Sequence, residues 1–328
     1  MKFGDPDETL EESYFPISPL LIAPEVYGEF AIYLRKGRHY LLFTRKGEFS
    51  QKHQGILHEN AVQEVYLHSS QKPDYDSYLE QNLKKILTDE SVPLPIRSGV
   101  LHYASTSVMR EVFERSRNLL EPRILEKLAN IVRSSLGFFS GHEALRSVAP
   151  ILSHENNVIA HSVNVFIYSS AVFETMRASE EGRVQCGLGT ILHDIGKSNI
   201  PKRVLYKRGR LNSEEKMLLK LHPQKGVGIC SNVPLGQVAI HCILFHHEKG
   251  DGSGYPAGLL AALIPLHAKI TAITDAYDSL TSVMPFGGEP LSPSQALTVM
   301  REHRTGFYDM ELLDLFTRIL TKAGIIQV

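Results

Sequence analysis

The sequence predicts a multi-domain chain, with a small α+β domain followed by an all-α helical bundle. Three observations carry this. Runs of β-branched and aromatic residues, the signature of strands, are confined to residues 1–97. Beyond them, apolar residues recur at helical spacing in one segment after another. Between the two regions lies Ser91-Val-Pro-Leu-Pro-Ile-Arg97, whose two prolines read as a linker.

In the first region, residues 30–35 and 38–44 are strand candidates joined by Lys36-Gly37, a plausible hairpin turn. Residues 62–68 read as a third strand. The period then changes: Tyr78, Leu79, Leu83, Ile86 and Leu87 fall at helical spacing within residues 75–88. Residues 98–150 read as a linker with connecting helices, and 151–328 as the second domain. Helices are expected at 109–120, 124–136, 158–176, 184–195, 213–221, 235–247, 268–280, 292–303 and 310–323. Asn212-Ser-Glu-Glu215 is a capping-box pattern opening one of them, and Pro293 suits the first turn of another.

Composition narrows the function. Lys plus Arg number 35 and Asp plus Glu 36, a net charge of −1. This excludes a chain that collects nucleic-acid polymers through a global positive field. Three cysteines are too few for a disulfide scaffold and suggest reduced thiols. The acidic N-terminus lacks the apolar segment of a secretory signal. No apolar run reaches the roughly 18 residues of a membrane span. The expectation is a cytoplasmic protein. No feature fixes an oligomeric state.

The anomaly is the 15 histidines. In the helical region, His161, His193, Asp194, His222, His246, His247 and Asp275 could form a metal site. Read singly, each has a plainer explanation. His161 could be a hydrogen-bonded core residue, His193-Asp194 a helix cap, and His222, before Pro223, a turn residue. His246-His247 closing a very apolar helix is harder to explain that way. Asp275 lies in a polar stripe with Thr271, Asp278 and Ser282, where a carboxylate must be paired or ligating. Taken jointly, five imidazoles and two carboxylates suit divalent transition metals such as Fe, Mn, Zn or Ni. Seven ligands exceed the need of one ion, so two ions bridged by Asp194 fit the count.

From about residue 154 onward the sequence resembles the HD-GYP family, the cyclic-di-GMP phosphodiesterase branch of the HD phosphohydrolases. The resemblance rests on an ordered set of motifs: His161-Ser-Val-Asn-Val165, Leu192-His-Asp-Ile-Gly-Lys197, Ile200-Pro201 and Lys207-Arg-Gly-Arg-Leu211. After them come His222-Pro223, His246-His-Glu-Lys-Gly-Asp-Gly-Ser-Gly-Tyr-Pro256, Ile264-Pro265 and Thr274-Asp-Ala-Tyr-Asp-Ser-Leu-Thr-Ser282. It covers roughly half the chain and does not extend to residues 1–97.

The resemblance implies a phosphodiester hydrolysed by water activated on two or three metal ions. One ion would be held by His161, His193, Asp194 and Asp275, and another by Asp194, His222, His246 and His247. The metals implied are iron or manganese, with zinc or nickel acceptable to the same ligands. Lys197, with Asp194, takes a catalytic role as a point charge toward phosphate. Lys202, Arg203, Lys207, Arg208 and Arg210 extend a basic run that could attract substrate. The loop residues Asp251, Gly252, Gly254, Tyr255 and Pro256 would shape the site and offer a surface to a signalling partner. Glu248 and Asp251 read as loop braces rather than ligands. The first domain reads, by analogy, as a sensory or partner-binding module.

Three departures from the family stand out. Asn157 occupies the position of a Glu that holds a third ion, and Asn164 stands where Arg is usual. Where a basic Arg-Pro-Tyr-Arg stretch is normal, this chain has Val283-Met-Pro-Phe-Gly-Gly-Glu289, so Met284, Phe286 and Gly287 cannot grip phosphate. The implied function is hydrolysis of cyclic-di-GMP to pGpG or GMP with a weakened substrate grip. The alternatives are a catalytically weak metal-binding signalling module, or a phosphohydrolase of another nucleotide.

Overall fold

The computed structural model describes residues 13–24, 28–116, 118–152, 157–176, 178–207, 209–283 and 289–326. The chain forms two compact units, Met1–Val100 and Leu101–Val328.

The first unit holds β1 (Tyr14–Ile17), β2 (Ile32–Lys36), β3 (His39–Thr44), α1 (Gln51–Glu59), β4 (Val65–His68) and α2 (Lys72–Thr88). The strands form one antiparallel sheet in the order β1-β4-β2-β3. The expected hairpin is present, with Gly37 at φ +64° making the turn between Lys36 and His39. Burial alternates along β4: Val65 and Leu67 are buried, Tyr66 and His68 half-exposed. Under the sheet, Phe30 meets Tyr75 and Tyr78 of α2 edge-on. On the open face, Tyr14 stacks on Tyr40 at 4.1 Å and meets Tyr33 at 5.1 Å.

Two elements here escape the sequence patterns. The edge strand β1 carries Pro16, which a period-2 reading discounts but an edge tolerates. In α1 only Leu57 is buried, so no apolar stripe announces it.

The proposed linker at 91–97 is not one. Helix α3 (Leu94–Arg115) begins inside it, because Pro95 lies in the first turn, where a missing N–H breaks no bond. The helix then ends at Arg115 rather than 120.

The second unit continues with α4 (Pro122–Ser135), α5 (His142–Val148), α6 (Val158–Phe173) and α7 (Glu180–Ile191). A 3-10 turn (Ile195–Asn199) precedes α8 (Lys202–Leu205), α9 (Ser213–Lys220), α10 (His222–Ile229) and α11 (Gln237–Phe245). The last helices are α12 (Leu266–Thr281), α13 (Pro293–Thr298), which runs into a π-helical turn at Val299–His303, and α14 (Met310–Lys322). The helices expected from the sequence are present, most with ends shifted by a few residues; α5, α8 and α10 are additional. The Asn212 capping box forms as expected.

Helices α6, α7, α11 and α12 make the core of this unit. Tyr168 of α6, Tyr277 of α12 and Phe316 of α14 interlock behind it edge to face. Among the described residues, no helix is long and apolar enough to cross a membrane.

Candidate metal centre

The seven residues singled out in the sequence arrive from five elements. Asn157 caps α6, its side-chain oxygen accepting the Ile159 N–H at 2.9 Å, and His161 follows one turn later. His193-Asp194 lie on the turn between the end of α7 and the 3-10 segment. His222 is the first residue of α10, and His246-His247 follow α11. Asp275 projects from the middle of α12.

Gly196 brings two of these elements together. A Cβ there would lie 1.9 Å from the His222 carbonyl oxygen and 2.6 Å from the Gly226 nitrogen. Only glycine lets the Asp194 turn approach the start of α10 this closely.

Three of the imidazoles are anchored by their own backbone. The Nδ1–H of His193 donates to the Thr190 carbonyl at 2.7 Å, that of His222 to Leu219 at 2.7 Å, and that of His246 to Ile243 at 2.9 Å. This fixes the tautomer and turns each Nε2 lone pair inward. His161 is anchored instead by Asp278, whose Oδ2 lies 2.6 Å from Nδ1, and Asn164 donates to the other Asp278 oxygen at 2.9 Å.

The inward atoms converge on Asp194. His222 Nε2 is 3.2 Å and His246 Nε2 3.9 Å from Asp194 Oδ1; His161 and His193 Nε2 are each 3.5 Å from Oδ2. Asp275 lies 3.0 Å from His161 Nε2 and 3.6 Å from His247 Nδ1. Lys197 Nζ lies 2.5 Å from Asp194 Oδ2.

Protonation follows from burial and neighbours. Burial and the neighbouring histidines push His246 well below the usual imidazole range. Burial takes His247 down to about 3, against the pull of Asp275. Burial would raise Asp194, but Lys197 and His193 hold it well below the usual carboxylate range. Asp275 is likewise held low, its burial outweighed by His161 and His247. For His161 burial opposes charge, yet Asp275 and Asp278 raise it to about 10. The ionised carboxylates and the neutral imidazoles of His246 and His247 are forms that bind a metal ion, whereas His161 must give up a proton to ligate one.

Two donor groups result: Asp194, His222, His246 and His247 form one, and His161, His193 and Asp194 the other, each with donor atoms within 4.8 Å of one another. Asp194 belongs to both. The chemistry of the set fits divalent cations. Asp194 Oδ1 is buried and accepts no hydrogen bond among the described residues, and the Nε2 atoms of His222 and His246 approach to 3.1 Å with their N–H groups already spent. A cation between them would answer all three lone pairs.

The other sequence candidates divide. Glu248 is buried and accepts the backbone N–H groups of Ala257, Gly258 and Leu259 at 2.6, 3.2 and 2.8 Å, a loop brace as expected. Asp251 accepts from Ser253 within the loop. Gly252 adopts φ +79°, and a Cβ on Gly254 would lie 2.4 Å from the Lys249 nitrogen. The loop thereby brings Tyr255, followed by Pro256, to the cluster, with its ring 4.7 Å from that of His247.

Lys207 is bound by Glu215 at 2.6 and 2.8 Å, and among the described residues no ion pair ties Lys202, Arg203 or Arg210 to the cluster. Arg208, Met284, Phe286 and Gly287 lie outside the described residues. Asp278 was legible only as part of a polar stripe. Its position one turn beyond Asp275 was the available signal.

A family model described as the HD domain matches residues 126–312, more than half of the chain. The chain belongs to the HD domain family. Within that family it is an HD-GYP protein, as its ordered motifs and its relatives agree. It is 30% identical over 240 residues to a cyclic di-GMP phosphodiesterase of Thermotoga maritima, covering 70% of this chain and 65% of the relative. It is 33% identical over 186 residues to 3'3'-cGAMP-specific phosphodiesterase 1 of Vibrio cholerae, covering 54% of this chain and 42% of the relative. The chain thus spans less than two thirds of either relative's length. The fold is shared with Bd1817, an HDG"Y"P protein from Bdellovibrio bacteriovorus, at a TM-score of 0.64 and 20% identity, with 94% of this HD-GYP chain and 99% of that chain covered.

Proposed function

We propose that this HD-GYP protein is a metal-dependent phosphodiesterase that opens a cyclic dinucleotide, cyclic-di-GMP in the first place, to the linear pGpG or to GMP. The observation that carries the reading is the pair of donor groups sharing one buried, ionised carboxylate, Asp194.

In this reading His161, His193, Asp194 and Asp275 hold one divalent ion, and Asp194, His222, His246 and His247 a second. Such ions, when bound, lower the pKa of a coordinated water and neutralise phosphoryl oxygens. The chain's own residues do the rest. Asp278 orients His161, and backbone carbonyls orient His193, His222 and His246. Lys197 steadies Asp194 Oδ2 and presents its charge, partly exposed, toward an incoming phosphate. Iron or manganese is the metal the family resemblance favours; the same ligands accept zinc or nickel.

A second reading, a metal-loaded module of weak activity, is favoured by two observations. Asn157 is spent as a helix cap and does not replace the missing carboxylate of a third ion. Lys207, one of the cations nominated to grip substrate, is committed to Glu215.

The deciding experiment supplies the protein, reconstituted with Fe(II) or Mn(II), with cyclic-di-GMP and 3'3'-cGAMP in separate reactions and resolves the products by chromatography. Linear dinucleotide or mononucleotide product is expected. Two bound ions per chain with no product from either substrate would overturn the phosphodiesterase reading in favour of the module.

A further inference from the structure

Lys207 of the basic run is committed to Glu215, and other cations lie around the loop that carries Tyr255. Lys220 closes α9, two residues before the ligand His222, and its ammonium lies 5.3 Å from the centre of the Tyr255 ring. That ring packs in turn on His247. Lys249, two residues after His247, lies 3.8 Å over the ring of Phe307, while the Gly250 N–H donates to the Phe307 carbonyl at 2.9 Å. Arg304 donates to the hydroxyl of Tyr308, the residue after Phe307, at 3.0 Å.

These three cations gather from three separate stretches of chain. Gly254, beside Tyr255, packs against the Lys249 nitrogen, and the ring partners of Lys249 and Arg304, Phe307 and Tyr308, are neighbours, so the three contacts meet around one loop. Among the described residues, none of the three forms an ion pair. Like charges held together beside a metal centre, with aromatic rings fixing two of them, are destabilising until an anion answers them.

We propose that Lys220, Lys249 and Arg304 form a second anion-binding point, which holds the phosphodiester group of a cyclic dinucleotide that is not under attack at the metal centre. The proposal rests on the phosphodiesterase reading and refines it. A cyclic dinucleotide carries two phosphodiester groups, each with one negative charge. The metal centre takes one, and the other needs a cationic partner that the stretch around Met284 and Gly287 does not provide. Lys220 and Tyr255 also bring a flat ring and a charge to the same place, a combination suited to a nucleotide rather than to a bare phosphate.

The test uses the full chain loaded with Mn(II) and two readouts. Binding is measured calorimetrically with the hydrolysis-resistant bis-phosphorothioate analogue of cyclic-di-GMP. Catalysis is measured on cyclic-di-GMP and on bis(p-nitrophenyl) phosphate, which has a single phosphodiester. Lys220→Gln and Arg304→Gln are each expected to weaken binding of the analogue about tenfold, the value of one charged hydrogen bond. Each should lower the ratio of kcat/KM for cyclic-di-GMP over bis(p-nitrophenyl) phosphate by a similar factor, and Lys220→Arg should restore most of it. An unchanged affinity and an unchanged ratio would overturn the proposal. So would equal losses on both substrates, which would mark a general disturbance of the centre. If the wild type hydrolyses neither substrate, the phosphodiesterase reading fails separately, and the analogue titration still decides whether these cations hold it.

Discussion

The two units of this chain handle their unusual residues in opposite ways. In the helical unit, His193, Asp194, His222 and His246 are withdrawn from solvent, and each ring is tied by a bond to its own backbone. In the N-terminal unit, Tyr14, Tyr33, Tyr40 and Tyr66 stay half-exposed on the open face of the sheet and lean on one another. Buried polar groups must be paired, so the first arrangement has one geometry and demands a charge at its centre. Stacked rings are satisfied by each other and tolerate change. The contrast separates a buried, charged cluster from an open aromatic face.

Replacing the residue that serves both donor groups tests this most severely. Asp194→Ala should lower metal content further than His161→Ala does, and reduce phosphodiester hydrolysis by roughly a thousandfold or more. Equal metal content in the two variants, by elemental analysis, would reduce Asp194 to a turn residue. Next comes the close approach at Gly196. Gly196→Ala sets a methyl group against the His222 carbonyl and should cost about 3 kcal/mol in urea denaturation, with metal lost alongside. A variant as stable as wild type would mean that the turn can move away without harm.

Asp278→Asn should leave the helix intact but free His161, weakening metal affinity by about 10- to 100-fold in a competition titration with a chelator. An unaltered affinity would show that Asp275 alone orients His161. The smallest effect is expected on the sheet. Tyr40→Ala removes one ring of the stack and should cost about 1 kcal/mol beyond its lost area, with metal content untouched. A loss of metal in that variant would erase the distinction between the regions.

The same contrast explains what the sequence disclosed. Histidines inside apolar helical runs are conspicuous because ordinary packing has no use for so many, and all seven proposed ligands meet in the structure. Asp278 and Lys220 were less visible because their roles depend on which element faces theirs. Asp278 meets His161 from 117 residues away, and Lys220 meets Tyr255 across a loop. In the first unit the Ile32–Thr44 hairpin followed from β-branched and aromatic runs on either side of Lys36-Gly37. Helix α1 escaped because one buried leucine makes no period. The start of α3 escaped because Pro95, which would end a helix in its interior, is harmless in its first turn.

The bonds from His193, His222 and His246 to carbonyls three residues upstream also bear on conformational entropy. A ligand side chain free in solution gives up rotamer freedom when it captures an ion, at a cost of about 0.5–1.5 kcal/mol for a mobile side chain. Here the rings are ordered when their helical turns form, so capture of an ion costs them little further freedom. The corollary is that fraying matters more than chemistry at these positions. Any change that loosens the last turn of α11 would set the His246 ring turning and lower affinity without touching a ligand atom.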